Sequence, residues 1–292
     1  MRDYIGSADA AAMVGLSPWK TPLTLYLELR GELPDDEKKS DQIDFGIRFE
    51  DAVIDEFLRR KGFQHDLLDR QVHLRDPHLD YIGATLDARS GMKYLVEAKT
   101  ASVYSASRWE EEGPPVHYQI QAQWQMMVSR IETCFMPVYF DSRRFEIYEI
   151  KRDALACEAL YNSAIDFWGA VVDGVPPSVS AEDAKTLARL FPTVEVERVD
   201  LSGAAPAYLD RIKEINFMIK SYEAEKDLLI NSLKQEMGSA AMGVLDGKPA
   251  ITWAQQKRSG IDSKRLREEL PEVYEQFKTQ TSYRVFRMVG EL

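Results

Sequence analysis

From Asp87 to Lys99 the chain reads Asp-Ala-Arg-Ser-Gly-Met-Lys-Tyr-Leu-Val-Glu-Ala-Lys: an aspartate, a short turn, then Glu97-Ala98-Lys99 closing an apolar run. Strand residues alternate faces, so Glu97 and Lys99 point to one side while Val96 and Ala98 point into the core. Gly91 lets the chain reverse between residues 82–87 and 93–96, which carries Asp87 toward Glu97. Two hard oxygen ligands and an ammonium then meet at one place. Magnesium prefers octahedral oxygen coordination, keeps several waters and is held by one or two carboxylates plus substrate phosphate. An ammonium beside it can orient the attacking water or offset charge on a phosphoryl group. The chemistry this pattern suits is metal-dependent phosphodiester hydrolysis; the plainer reading is a solvated strand with a salt bridge.

The elements that must position these groups lie on either side. Upstream, Phe45, Phe49, Val53, Phe57 and Leu58 recur at helical spacing and predict a helix over 44–58 that lies on a sheet, with Glu50 at the margin of its stripe. Downstream, Pro114-Pro115 open a second helix over 116–130, where Tyr118 and Gln121 are three apart and share a face.

Glutamate on a first helix, then Asp, then Glu-x-Lys, then Tyr-x-x-Gln on a following helix resembles the PD-(D/E)XK nuclease superfamily. More closely it is similar to the lambda exonuclease and YqaJ-like viral recombinase family. The start Ile5-Gly6-Ser7-Ala8-Asp9 through Gly15-Leu16-Ser17-Pro18-Trp19 is similar to that family's opening, and the likeness spans roughly the first 170 residues. The resemblance implies an α/β (α+β) fold: a restriction-endonuclease-like mixed sheet flanked by helices. It also implies Asp87, Glu97 and the main-chain carbonyl of Ala98 as metal ligands, Glu50 at a second metal, and Lys99 as the catalytic lysine. Tyr118 and Gln121 match the helix beside the scissile phosphate, and Arg2, Ser7 and Thr85 match positions that hold a terminal 5′ phosphate. The serine stands one residue early relative to the usual Gly-Ser-Asp order, and Leu86 replaces the proline before the aspartate.

The resemblance further implies magnesium, with manganese as a substitute, and 5′→3′ degradation of linear double-stranded DNA ends to 3′ overhangs for a single-strand annealing protein. It implies a homo-oligomer, a trimeric ring. Two other readings stay open: an endonuclease of the same superfamily, and a catalytically silent DNA- or protein-binding relative.

A formal net charge of −11 is unusual for a DNA-binding chain, but an acidic metal pocket and a local basic lining can coexist with it. Arg59-Arg60-Lys61 reads first as the cationic end of a helix closed by Gly62. Two cysteines, Cys134 and Cys157, exclude a four-cysteine zinc or iron–sulfur site, and His65, His73, His78 and His117 show no ligand spacing. The chain lacks the pattern of a signal peptide or membrane span, so a cytoplasmic protein of bacterial or phage origin with no membrane partner is expected.

Thr21-Pro22 predicts an N-cap and first residue for a helix over 23–30 stopped by Gly31. Strands are expected near 71–74, 81–87 and 93–102, with a hairpin over 133–140 and 144–150 and then a helix to about 172. The organisation expected is a nuclease domain over 1–180, a linker over 181–204 beginning after Pro176-Pro177, and an appendage over 205–292. In that appendage Tyr208, Ile212, Ile215, Ile219, Tyr222, Leu229 and Leu233 form a narrow helical seam that could meet another copy or a partner; the expectation is that it folds back on a hairpin near 244–253. A last strand is expected over 283–289.

Overall fold

The structure is a computed structural model, and it describes residues 3–33, 41–63, 67–141, 144–201, 203–280 and 282–289. The chain divides into two compact units, Met1–Pro192 and Thr193–Leu292.

The first unit is built on a mixed sheet. Strands β1 (Asp69–Arg75), β2 (Gly83–Ser90) and β3 (Tyr94–Val96) run antiparallel in order. Strand β4 (Lys99–Ala101) and β3 both pair parallel with β5 (Thr133–Phe140), β3 at Cys134–Phe135 and β4 at Val138–Phe140. Strand β6 (Arg144–Lys151) closes the other edge of β5 as an antiparallel hairpin. The single strand expected over 93–102 is therefore two short strands interrupted at Glu97-Ala98. The Ala98 N–H donates across the hairpin to Asp87 Oδ2 at 2.8 Å, so the ladder loses that amide to a side chain.

Helices cover both faces. On one side α1 (Ala10–Met13), α2 (Pro22–Arg30), α4 (Ala106–Glu112), α5 (Val116–Ser129) and α6 (Ala154–Asp173) bury Leu25, Leu29, Trp109, Trp124, Met126 and Phe167 against Leu86, Leu95 and Met136. On the other, α3 (Asp41–Lys61) packs Val53, Ile54 and Phe57 against Tyr94, Val96, Phe135 and Phe145. Each fully buried side chain of this size stabilises by about 1.5–3 kcal/mol. The capping expected for α2 is present: Thr21 Oγ1 accepts from the Thr24 N–H at 3.0 Å, and Gly31 ends the helix at φ +70°. Gly91 in the turn and Gly62 after α3 are likewise left-handed.

The N-terminal segment is tied to the sheet. Ile5 N donates to Tyr81 O at 2.8 Å and Gly83 N to Ile5 O at 3.0 Å. A Cβ at Gly83 would lie 2.8 Å from the Tyr4 ring and 3.1 Å from Leu74 O, so only glycine permits this approach. The start of the segment expected as a linker is helical, with α7 at Ala184–Leu190. It is bonded to α2 through Asp183 Oδ1 accepting from Thr21 Oγ1 (2.5 Å) and the Thr24–Thr186 hydroxyl pair (2.6 Å).

The second unit holds α8 (Ala205–Met237), the hairpin β7 (Met242–Leu245) and β8 (Lys248–Thr252), and short helices α9 (Ser263–Glu269) and α10 (Pro271–Phe277). The seam expected to be covered is not: α8 buries no residue, and Trp253 and Phe277 are themselves exposed. The hairpin meets the end of the helix, where Lys234 lies 5.7 Å from the Trp253 ring. The strand expected over 283–289 is irregular backbone. Among the described residues no helix is long and apolar enough to cross a membrane.

Candidate active site

The break between β3 and β4 places Glu97 and Lys99 on the α5 side of the sheet while Val96 and Ala98 join the opposite apolar cluster, as alternation requires. Glu97 is 2 % exposed, and both its oxygens are used. Its Oε1 accepts from Lys99 Nζ at 2.5 Å and from Gln121 Nε2 at 2.6 Å; its Oε2 accepts from Gln125 Nε2 at 2.6 Å. Lys99 Nζ also donates to Gln121 Oε1 at 3.2 Å and lies 4.8 Å from the Tyr118 ring centroid. Helix α5 thus contributes one face, Tyr118, Gln121 and Gln125, to the carboxylate and the lysine.

Electrostatics follow from this crowding. Burial, then the charge of Glu97, pushes the Asp87 carboxyl well above its ordinary range, and Glu50 adds to the shift. Burial also raises Glu50, with the charge of Glu97 acting in the same direction and the Gln71 hydrogen bond against it. Burial alone would lower the Lys99 ammonium, but the charges of Glu97 and Asp87 more than reverse it, so its pKa lies above the ordinary lysine value. Lys99 is therefore a cation at neutral pH and a poor general base.

The donor set fits a hard dication. Asp87 and Glu97 plus the Ala98 carbonyl, completed by water and phosphate, would make the oxygen-rich arrangement magnesium takes. Among the described residues no three His, Cys, Asp or Glu side chains are grouped so as to hold a metal ion by themselves, so an ion here would depend on the carbonyl, water and phosphate for the rest of its shell.

Of the residues singled out in the sequence, Asp87, Glu97, Ala98, Lys99, Tyr118 and Gln121 are brought together. Glu50 is linked to them through charge and through Gln71 Nε2, which donates to its Oε1. Ser7 Oγ donates to Thr85 O at 3.4 Å, so these two also meet, while the Thr85 hydroxyl pairs with His73 Nδ1 at 3.0 Å. Arg2 lies outside the described residues. Arg59 and Arg60 are engaged at the end of α3 by Glu56, at 2.7 and 2.6 Å, as the helix-end reading expected.

Two residues of the site belong to no motif in the sequence. Gln125 is fully buried and joins Glu97 to the Thr85 carbonyl, to which it donates at 2.9 Å. Its spacing four residues after Gln121 is the available signal, since it falls on the same helical face. Gln71 falls between the strand pairs Arg70–Ala88 and Val72–Leu86, opposite Asp87, and has φ +50°. A left-handed glutamine inside a strand is strained, and here the strained residue holds the helix glutamate. Gln71→Gly is expected to be about 1 kcal/mol more stable than Gln71→Ala, because glycine relieves the left-handed backbone. Both are expected to lose DNA hydrolysis several-fold as Glu50 loses its partner. Urea denaturation of the two variants, with hydrolysis rates alongside, tests this; equal stabilities would remove strain from the account.

A broken strand carrying a carboxylate and a lysine, flanked by helices on both faces that add a glutamate and a glutamine, defines the class: a mixed α/β fold with an acidic site at the gap in its sheet. The YqaJ-like viral recombinase domain matches residues 1–132. "Uncharacterized protein YqaJ" of Bacillus subtilis (strain 168) is 31% identical over 292 residues, spanning 98% of this chain and 91% of that one. The chain belongs to the YqaJ-like viral recombinase family. Among solved structures, the alkaline exonuclease LHK-Exo from Laribacter hongkongensis shares the fold with a TM-score of 0.51 at 16% identity, covering 64% of this chain and 93% of that chain. Its complex with dAMP matches with the same TM-score at 17% identity, covering 64% and 92%.

Proposed function

We propose that this protein is a magnesium-dependent exonuclease. It degrades one strand of linear double-stranded DNA from the 5′ end and leaves 3′ overhangs for a single-strand annealing protein. The observation that carries the reading is the convergence of Asp87, Glu97 and Lys99 at the gap in the central strand, with Gln121 bonded to two of them. Membership of a viral recombinase family supports a recombination role, and the dAMP bound by LHK-Exo supports a mononucleotide product.

Asp87, Glu97 and the Ala98 carbonyl would hold magnesium, or manganese in its place, with Glu50 at a second position; the ion supplies Lewis-acid stabilisation of the phosphoryl group and a more acidic water. Lys99, kept protonated by its carboxylate neighbours, offsets negative charge that grows on the phosphate oxygens. Gln121 fixes the lysine and Glu97 in one geometry. The Ser7 and Thr85 hydroxyls, with Arg2, are assigned to a terminal 5′ phosphate. A ring-shaped trimer threading the duplex would keep the enzyme on its strand, and the cytoplasm of a bacterium is its proposed place of action.

The decisive experiment uses linear duplex DNA labelled at one end, with or without a 5′ phosphate, in magnesium or chelator, beside closed circular DNA. Mononucleotide release from the 5′ strand of linear DNA, in magnesium only, is the expected result. Nicking of closed circles would make it an endonuclease, and no cleavage of either would leave DNA binding as its function.

A further inference from the structure

The Ser17-Pro18-Trp19 segment has no part in the chemistry assigned so far, yet it holds a large aromatic ring in solvent, separated from Lys99 by the ring of Tyr118. Trp19 is 71 % exposed, although tryptophan is among the residues that gain most from burial. Its position is built. The Ser17 hydroxyl accepts from the backbone N–H groups of Trp19 and Lys20, both at 3.3 Å, Pro18 fixes the backbone between them, and Thr21 starts α2. Lys20 Nζ anchors the turn by bonding Glu28 at 2.6 Å and Asp9 at 3.4 Å.

The ring belongs to an aromatic track that leads to the site. Trp19 meets His117 edge-on with centroids 4.6 Å apart and lies 6.0 Å from Tyr118, whose ring lies 4.8 Å from Lys99 Nζ. Next to His117 opens a cleft of about 680 Å³ walled by Leu16, Pro18, Trp109, Pro114 and Val116. Of its charged lining residues, Arg108 and Glu112 pair with each other at 2.8 Å, and of its polar ones Ser17, Ser105 and Gln119 are bonded to backbone groups of their own segments, so the cleft adds apolar surface beside the ring. His117 Nε2 is buried with no hydrogen-bond partner among the described residues.

We infer that Trp19, backed by His117 and the adjoining cleft, is a stacking site for a nucleobase of the DNA strand whose phosphodiester lies at Lys99. This rests on the nuclease reading above. Stacking on an aromatic ring is tolerant of sequence because every base has a π face, which suits an enzyme that must process any DNA. It also gives the motif a physical division of labour: serine and proline set the turn, and tryptophan is the platform.

The test measures binding to a linear duplex with unpaired terminal nucleotides, and to the same duplex with abasic terminal nucleotides, with calcium in place of magnesium. Intact DNA is expected to quench tryptophan emission in the wild-type protein. Trp19→Ala should abolish most of that quench and weaken binding about tenfold, while Trp19→Phe keeps most of the affinity. On abasic DNA, wild type and Trp19→Ala should bind alike. An equal loss on intact and abasic DNA, or none on either while the protein hydrolyses DNA normally, would overturn the stacking site and leave the nuclease reading standing. Failure of the wild-type protein to bind or cut any DNA would overturn the nuclease reading itself, and the stacking site with it.

Discussion

Lys99→Ala is expected to lower hydrolysis of linear duplex DNA by about two to three orders of magnitude, the usual cost of removing one group that stabilises transition-state charge. DNA binding should survive, because the side chain is only 16 % exposed and is spent on Glu97, Gln121 and Tyr118. Stability should fall too. Glu97 keeps its two glutamine donors, but it and Asp87 lose their cation, and breaking a buried ion pair costs up to about 3–5 kcal/mol. Melting in chelator should therefore drop, and magnesium should restore part of it. Full residual activity in the alanine variant would remove Lys99 from the mechanism.

Asp87→Asn should show opposite signs in stability and activity. Burial and the neighbouring Glu97 charge raise the folded-state pKa of Asp87 above its unfolded value. The stability linked to its proton is thus fully present below the unfolded pKa, about 3.9, and is lost as pH rises through the folded one. In chelator at neutral pH the wild type carries that penalty and the asparagine variant does not. The variant should therefore be the more stable of the two in chelator, as expected where a functional site is held at a cost to stability. It should also lack the wild type's decline with rising pH, gain less stability from magnesium and lose DNA hydrolysis by roughly a hundredfold or more. Denaturation series in chelator and in magnesium across the carboxylate range provide the check. An asparagine variant that is both less stable and fully active would leave Asp87 a structural residue.

The local logic of the chain is legible in the order of its residues. Thr21-Pro22 and Gly31 bracket α2 because caps and left-handed stops act within one turn of the helix they bound. Alternation puts Glu97 and Lys99 on one face, and the Gly91 turn brings β2 against β3, because both depend on backbone geometry over a few residues. The same reasoning fails where the outcome depends on distant partners. The interruption of the strand at Glu97-Ala98 needs the Asp87 carboxylate to capture the Ala98 amide across the hairpin. The expected covering of the α8 seam presumes that apolar side chains near in sequence pack on it, and they do not.

Residue order, read together with the family resemblance, supplies the candidates for the site: three carboxylates, a lysine, a tyrosine and a glutamine, in a succession and on element types that restrict the chemistry. Which other groups hold them is settled by packing between elements. Gln125 reaches Glu97 and the Thr85 carbonyl because α5 lies over β2 and β3. Gln71 reaches Glu50 because β1 pairs with β2 opposite Asp87, and Trp19 meets His117 where the segment after α1, itself packed on α5, passes the start of that helix. Periodicity fixes the face a residue occupies within its own element; contacts between elements far apart in sequence arise only when the sheet register and the packing of both helical layers are set together.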